Sequence, residues 1–347
     1  MRVIKKTLEQ TSEHYNLISE YEIEFDFQRD VENGLSSFFL ISQNLPVQSV
    51  SDFFSGENFS MSECFEEIEA SHHLIKYGFY KQSMISLRTS LEIGILSIYW
   101  SIIGKDSGEF KKWFSSRLDT PYKNEKFWKK IKSNENITKF DTEFNLIEEI
   151  KNFGLSDFVH TKGIWYSNFG ELQRKLKGQD NFENYKEWLK NFKDIVRILE
   201  ILHLLKFPTL NIRFSSDYLL SKFGTFDSIP QFGAGYGEEM NATTSFIPQN
   251  QLSLIDDIAN SSNEVIEIKK WINELPDLTE KEIECKIIDN QKRNIEMSGF
   301  ENWNLNVKIY DSRITSEMIL NLREWAISNN LMTIENIMDN HKRKASN

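Results

Sequence analysis

Apolar residues recur every three or four positions through most of residues 60–207, which is the spacing of helices with one buried face. The longest stretches predict helices over about 80–103 and 185–205, the second ending before a proline. Two short amphipathic helices on either side of Pro121 and a helix leading to His160 complete the pattern. The sequence therefore predicts a mainly α fold built on a bundle of four principal helices.

Three shorter segments alternate strictly between apolar and polar residues, which is the pattern of a half-buried strand. They cover residues 20–27, 210–214 and 303–309, so a few short β-strands are expected beside the helices. Two helix starts are marked by a capping box, in which Ser or Thr is followed three residues later by Glu. These capping boxes begin at Ser60 and Thr279.

The same patterns divide the chain into four parts. Residues 1–59 are expected to form an acidic N-terminal extension with one strand, and residues 60–207 the helical bundle. A strand and a linker containing glycine and proline cover residues 208–251. Residues 252–347 then form a smaller, α-rich C-terminal region.

The formal net charge of −11 is unevenly distributed, because residues 1–70 are strongly acidic and residues 105–132 are basic. An acidic protein is not a general nucleic-acid coat, but a local basic stripe can still bind phosphate. Cys64 and Cys285 lie far apart without metal-type spacing, which fits a reducing compartment. No secretory signal and no apolar run of bilayer length is visible, so a cytoplasmic protein without a membrane span is expected.

Three polar residues with catalytic potential lie within otherwise apolar helical segments. Arg88 and Glu92 are four residues apart on the predicted 80–103 helix and share one face. Such an arginine can clamp a phosphate while the glutamate orients its guanidinium, and a histidine such as His160 can transfer a proton near neutral pH. Lys162 can add a phosphate contact. The alternative is a structural polar network that fixes the packing of the helices.

The segments around these residues resemble a known family. The runs GFYKQSMISLRTSLE at 78–92 and LSDFVHTKG at 155–163 are similar to bacterial helical proteins of the HEPN superfamily, often found near host-defence and abortive-infection genes. The resemblance implies a four- to five-helix bundle over residues 60–207 that commonly forms a homodimer. Active members are metal-independent ribonucleases with an arginine and a histidine close together on one helix. Arg88 and His160 lie far apart here, so the resemblance assigns them by role rather than by motif position.

The basic stretch after the 80–103 helix interleaves cations with aromatic residues, as proteins that bind single-stranded RNA do. Its candidate RNA-binding side chains are Lys111, Lys112, Arg117, Lys129 and Lys130. The same spacing fits two amphipathic helices whose aromatic residues are core and whose lysines are solvated. A third interpretation is that the acidic N-terminal strand docks against this stripe, either of its own chain or of a partner chain.

Two Glu-x-x-His motifs raise the alternative of a di-iron bundle, in which Glu92 and Glu148 or Glu149 would supply further ligands. The motifs are Glu69 with His72 and Glu200 with His203. Along the chain the order is motif, single glutamate, single glutamate, motif, whereas single glutamates and motifs are expected to alternate in ferritin-like proteins. We therefore expect neither a metal site nor another cofactor.

These features predict a host-defence or stress-response protein that recognises RNA or a partner protein. In its sharpest form it is a metal-independent ribonuclease: Arg88 and Lys162 bind phosphate, and Glu92 orients the guanidinium. His160 then transfers the proton. The alternative is a non-catalytic dimerisation or protein-interaction module in which the Arg, Glu and His residues are structural. Catalysis requires Arg88 and His160 to meet at a solvent-reachable cleft.

Overall fold

A computed structural model of the chain describes residues 8–43, 45, 56–121, 124–160, 162, 166, 181–229, 246–310 and 313–345. Within these ranges the chain forms seventeen α-helices and two short 3-10 helices, and no β-strand is present in them. The prediction of a mainly α helical bundle is confirmed, and the prediction of a few short β-strands is wrong. No helix in this part of the chain has the length and apolar content that crossing a membrane requires.

The α-helices belong to two compact units, one within residues 1–213 and 231–269 and the other within 214–230 and 270–347, and the boundary falls inside the helix Asn263–Glu274. In chain order they are α1 Leu8–Glu24, α2 Phe27–Gln43, α3 Gly56–Lys76, α4 Tyr80–Ile103, α5 Gly108–Phe114, α6 Glu125–Ile131, α7 Glu135–Phe144, α8 Leu146–Lys151, α9 Ser156–Val159, α10 Asn181–Lys206, α11 Ser216–Phe223, α12 Gln249–Asn260, α13 Asn263–Glu274, α14 Glu280–Ser298, α15 Phe300–Tyr310, α16 Ser316–Ser328 and α17 Ile334–Ala345. Part of the predicted linker, residues 230–245, lies outside the described residues.

The centre of the first unit is an antiparallel hairpin of α3 and α4, which turns at Gly78 with a φ of +75°. Small side chains let the two helices approach closely. The hydroxyls of Ser71 and Ser83 each donate to the other residue's backbone carbonyl at 2.9 Å. The Cys64 thiol donates to the carbonyl of Ser90 at 3.1 Å. This seam sets the register of α4, the helix that carries two of the predicted site residues.

Helix α10 packs against α4 and supplies much of the buried interior. Gly94 on α4 is a point of close approach, because a Cβ atom there would lie 2.5 Å from Leu199 Cδ2 and 3.2 Å from Cys64 Sγ. Glycine at this position therefore lets α4 contact α3 and α10 at once. The fully buried side chains of α10 include Trp188, Phe192, Ile195, Val196 and Leu199.

Residues 20–27, predicted as a strand of an N-terminal extension, lie where α1 ends and α2 begins. Asp26, with a φ of +56°, connects the two helices. The rings of Tyr21 and Phe25, four residues apart, contact each other 6.5 Å apart between centroids. Glu22, on the polar side of the alternation, is buried. The strand prediction was wrong because every second apolar position of an alternation, such as Tyr21 and Phe25, is also four residues apart and can share one face of a helix. Packing against other helices buries the Glu22 carboxylate, and those helices supply its hydrogen-bond donors.

The two other predicted segments do not form strands either. The segment predicted as strand 210–214 begins inside the 3-10 helix Pro208–Asn211, and segment 303–309 belongs to α15. In the second unit, Phe300 and Trp303 are three residues apart and pack together in its core, with ring centroids 5.3 Å apart. The helix buries Trp303 but leaves Leu305 81% exposed, because a period of two does not keep residues on one side of a helix.

The observed helix ends agree with some of the boundaries and capping boxes predicted from the sequence and differ from others. The helix predicted over 80–103 is confirmed as α4, and the Thr279 capping box is confirmed at the start of α14. The capping box predicted at Ser60 is wrong, because α3 already begins at Gly56 and Ser60 is buried within it. The helix predicted to lead to His160 is divided into α8 and α9.

Candidate functional site

Arg88 and Glu92 form the ion pair that their spacing on α4 predicts. Nε and Nη2 of Arg88 each lie 3.0 Å from Oε1 of Glu92. Both donors share one carboxylate oxygen, so the guanidinium is oriented but not fully used by its partner. The Arg88 side chain is 23% exposed, which leaves it within reach of solvent.

The remaining nitrogen of the guanidinium, Nη1 of Arg88, is buried and has no hydrogen-bond partner among the described residues. An unpaired donor on a charged group is unfavourable, so such groups in folded proteins nearly always have a partner. An oxygen of a bound anion is a suitable partner, because its charge also complements the guanidinium. Glu92 therefore leaves part of the hydrogen-bonding capacity of Arg88 unused.

Arg88 also lines a pocket of about 180 Å³. Its volume is below the range of about 300–1,000 Å³ that is usual for drug-sized ligands, so it suits a phosphate group rather than a whole nucleotide. The pocket wall contains two cations and one carboxylate among apolar residues, and its net positive charge favours the binding of an anion. The lining residues are Arg88, Leu91, Glu92, Trp128, Ile150, Lys151, Phe153 and Leu155.

Lys151 at the end of α8 is the second cation of this pocket. Its Nζ lies 5.9 Å from the centroid of the Trp128 ring and 3.8 Å from an oxygen of Glu148. The ion pair is long and its partners are exposed, so it holds the ammonium weakly. The ammonium can therefore turn toward an anion beside Arg88. The sequence interpretation missed Lys151, because no motif links α8 with α4.

His160 does not line the pocket. It lies in the turn that follows α9 and is exposed. Phe158 of α9 anchors this segment on α4, where its ring contacts that of Tyr80 at 5.6 Å between centroids. Nζ of Lys162 lies 3.4 Å from the Asp157 carboxylate. The structure thus brings Arg88 and Glu92 together in a pocket and leaves His160 and Lys162 outside its lining.

The aromatic residues of the basic stretch are mostly core residues. Phe110, Phe127 and Trp128 are buried, and the Trp113 ring lies 5.0 Å from that of the buried Trp100. Buried rings offer no free face for a base to stack on. Phe114, by contrast, is exposed. The interpretation as two amphipathic helices with core aromatics is therefore the one that fits.

The cations of this stretch lie at the surface of α5, of α6 and of the segment after α5. Lys111, Lys112, Arg117 and Lys129 are exposed, and Lys130 is half-buried. Lys129 pairs with Glu125 of its own helix at 3.1 Å. The acidic N-terminal helices make their described ion pairs elsewhere: Asp30 of α2 pairs with Lys193 of α10.

The histidines of the two Glu-x-x-His motifs have other partners. His72 donates from Nε2 to Glu22 at 2.8 Å, and Nδ1 of His203 donates to the carbonyl of Leu199 at 2.7 Å. Burial lowers the pKa of His203 to about 4. Within the described ranges, no group of three or more His, Cys, Asp or Glu residues is arranged to hold a metal ion.

A buried network around Glu22 was not predicted from the sequence. The Glu22 carboxylate accepts hydrogen bonds from His72 Nε2 at 2.8 Å, Lys76 Nζ at 2.6 Å and Tyr185 Oη at 2.7 Å. Burial alone would raise the pKa of Glu22, but these donors outweigh it and lower the pKa to about 2. The spacing of His72 and Lys76, four residues apart on α3, was the one available signal. The network joins α1, α3 and α10.

Comparison of the chain with protein-family models, with curated proteins and with solved structures gave no match. The pocket around Arg88 and the exposed His160 therefore carry the functional inference by their own chemistry.

Proposed function

We propose that this protein is an HEPN-like module of bacterial defence or stress response that recognises RNA in the cytoplasm by holding one backbone phosphate at Arg88. The observation that carries the proposal is a pocket of about 180 Å³ whose wall contains both Arg88 and Lys151. Glu92 orients the guanidinium from the side, and Lys151 supplies a second positive charge. A pocket of this size contacts phosphate and ribose, so binding is expected to be tolerant of base sequence.

Replacing Arg88 with glutamine is expected to weaken RNA binding by about 10- to 100-fold, because hydrogen bonds to charged groups contribute about 1.5–3 kcal/mol. The measurement is fluorescence anisotropy of a short labelled single-stranded RNA of mixed sequence, titrated at several salt concentrations. Lys151→Gln should reduce the slope of affinity against salt, because one phosphate contact is lost. Arg88→Lys should recover only part of the affinity, since lysine lacks the planar fork.

The matched control is Lys139→Gln, which removes an exposed cation of α7 outside the pocket lining and should leave the affinity within about twofold. Urea unfolding checks that Arg88→Gln stays folded, since an i,i+4 pair contributes only about 0.3–0.5 kcal/mol. If the wild type binds no RNA, or if Arg88→Gln binds as tightly as the wild type, the proposal is wrong. The remaining function is then recognition of a partner protein.

RNA cleavage is the second candidate function, and the exposure of His160 favours it. A histidine that solvent reaches is available for proton transfer. Because His160 lies outside the pocket lining, cleavage requires an RNA that binds Arg88 through one phosphate and reaches His160 with a neighbouring nucleotide. In such a cleavage the 2′-hydroxyl next to the phosphate held by Arg88 attacks the phosphorus and gives its proton to His160, and the 5′-oxygen leaves with a proton from water while Arg88 stabilises the charge on the phosphate.

His160→Ala is expected to slow cleavage of a mixed RNA pool in the presence of EDTA by about 100-fold or more, the usual range for loss of a general acid or base. RNA binding by this variant should stay close to that of the wild type. Gel analysis of the products and anisotropy on the same samples separate the two effects. If the wild type binds RNA but leaves it intact, the protein recognises RNA without cleaving it.

A further inference from the structure

Helices α3 and α5 of the first unit together form a small aromatic surface. Phe59 in the first turn of α3 and Phe114 at the end of α5 are each 40% exposed. Their ring centroids lie 5.6 Å apart at an interplanar angle of 82°. In such an edge-to-face pair, at least one ring keeps a face that its neighbour does not cover. The two residues are distant in the sequence, so only the fold brings them together.

Buried rings support this surface from the inside. The Trp113 ring lies 6.2 Å from that of Phe59 and 5.0 Å from that of the buried Trp100 on α4. The ring of Phe110, which is also buried, lies 5.5 Å from that of Phe114. Because these contacts already restrict the two exposed rings, little side-chain entropy is lost when a flat group covers them.

Two cations lie beside Phe114 in the chain. Lys112 and Arg117 are exposed, and neither forms an ion pair within the described part of the chain. The turn after α5 brings their backbones together, because the N–H of Arg117 donates to the carbonyl of Lys112 at 2.8 Å and Ser116 has a φ of +56°. Their positive charges therefore remain available to an anionic group next to the rings.

We propose that Phe59 and Phe114 form a stacking site for an unpaired base of single-stranded RNA. Lys112 and Arg117 contact the phosphates next to that base. Aromatic rings combined with cations hold single strands in this way, because every base has a π-face and every nucleotide a charge. The inference rests on the proposed function and names single-stranded RNA as its substrate class, since the bases of a duplex are stacked on one another.

The exposure of the rings favours a base over a lipid bilayer. Proteins that bind at a membrane surface bury their apolar side chains about 5–10 Å into the headgroup region, which requires side chains that protrude. Phe59 and Phe114 keep more than half of their surface within the protein. The part that remains open suits contact with one flat group.

The stacking site and the Arg88 pocket are within reach of one RNA strand. Arg88 and Trp100 both lie on α4, and the twelve residues between them correspond to a helical rise of about 18 Å. Successive nucleotides of a stacked strand rise about 3.4 Å, so roughly five nucleotides cover this distance. An RNA of about ten nucleotides is therefore long enough to occupy both sites.

The test is fluorescence anisotropy of a labelled single-stranded RNA of about ten nucleotides, titrated with the full chain and with its Phe59→Leu and Phe114→Leu variants. Each variant should bind at least about fivefold more weakly, because leucine keeps the apolar bulk but offers no ring to a base. The slope of affinity against salt should stay the same, since no charge is removed, whereas Arg117→Gln should reduce it. Urea unfolding checks that the variants are folded, as their partial exposure leads us to expect.

Phe39→Leu is the matched control. Phe39 of α2 is 46% exposed and contacts the ring of Phe65 at 5.7 Å, so it resembles the two site residues in exposure and packing. This variant should leave the affinity within about twofold.

A second measurement replaces single nucleotides of the same RNA with abasic ones. At one or more positions, the missing base should weaken binding by the wild type at least about fivefold. The same replacement should weaken binding by Phe114→Leu less than about twofold, because both changes remove one contact. An abasic series in which the two proteins lose affinity equally would overturn the inference.

The results distinguish this inference from the proposed function. If both phenylalanine variants bind as tightly as the wild type while Arg88→Gln binds more weakly, the stacking site is wrong and the phosphate pocket stands. If only the phenylalanine variants bind more weakly, the stacking site stands and the pocket is wrong. A wild type that binds no RNA overturns both. Binding to vesicles of phosphatidylcholine and phosphatidylserine that is lost in Phe114→Leu would then assign the surface to a membrane.

Discussion

Replacing Glu22 with alanine is expected to lower the free energy of unfolding by about 3–5 kcal/mol, the usual effect of removing one partner from a buried ionic network. Glu22 accepts hydrogen bonds from His72, Lys76 and Tyr185, and these groups remain buried or half-buried after the substitution without their acceptor. The measurement is urea unfolding at neutral pH, followed by circular dichroism. Glu24→Ala is the control, because Glu24 is on the same helix and exposed.

The same carboxylate should account for part of the acid sensitivity of the fold. The pKa of Glu22 is about 2 in the folded protein and ordinarily 4.5, so the folded state releases this proton more readily than the unfolded state. Its contribution is fully present above about pH 5 and is lost as pH falls through 2, for a total of about 3 kcal/mol. The difference between wild type and Glu22→Gln should therefore shrink with acidification. A difference that stays constant from pH 6 to pH 3 would contradict this assignment.

Replacing Glu200 with methionine is expected to stabilise the protein. Glu200 of α10 is buried, and neither of its carboxylate oxygens has a hydrogen-bond partner among the described residues. Burial raises the pKa of this carboxyl well above its ordinary value of 4.5. An apolar side chain of similar length removes the unpaired polar group, which should add about 1–3 kcal/mol to the free energy of unfolding.

The gain should grow with pH. The folded state keeps the Glu200 proton while the unfolded state releases it above about pH 4.5, so wild-type stability falls by up to about 1.4 kcal/mol per pH unit. Glu200→Gln removes this slope but retains an unpaired polar group, and therefore separates the two effects. Glu187→Met, at an exposed position of the same helix, should change stability by less than about 0.5 kcal/mol. A Glu200→Met variant that is less stable than the wild type at pH 8 would contradict this prediction and indicate that the Glu200 carboxylate is paired in the folded protein.

The long helices were predictable because their signals are local. The bounds of α4 follow from apolar spacing, and the start of α14 follows from Thr279 and Glu282, which are close in sequence and close in space. The strand predictions were wrong because contacts with distant helices determine which side chains are buried. Glu22 looks like a solvent-facing carboxylate in its own segment, and only α3 and α10 supply the donors that bury it.

The Arg88–Glu92 pair was predictable for the same reason, because an α-helix brings residues four apart together whatever surrounds it. The rest of the pocket was not, since Trp128 and Lys151 come from α6 and α8 and no spacing connects them with α4. His160 is the reverse case. Its segment was singled out from the sequence, but the packing of Phe158 on Tyr80 leaves the imidazole outside the pocket.

By itself, the sequence determined that the chain is mainly helical, where α4 and α14 begin, and that Arg88 and Glu92 share a face. Each of these properties depends on contacts within a few residues, which backbone geometry sets directly. The tertiary structure alone decided which polar groups are buried, which cations line a pocket and which apolar faces stay open. Those properties depend on residues far apart in the chain, and their free energies depend on desolvation, which no local pattern encodes.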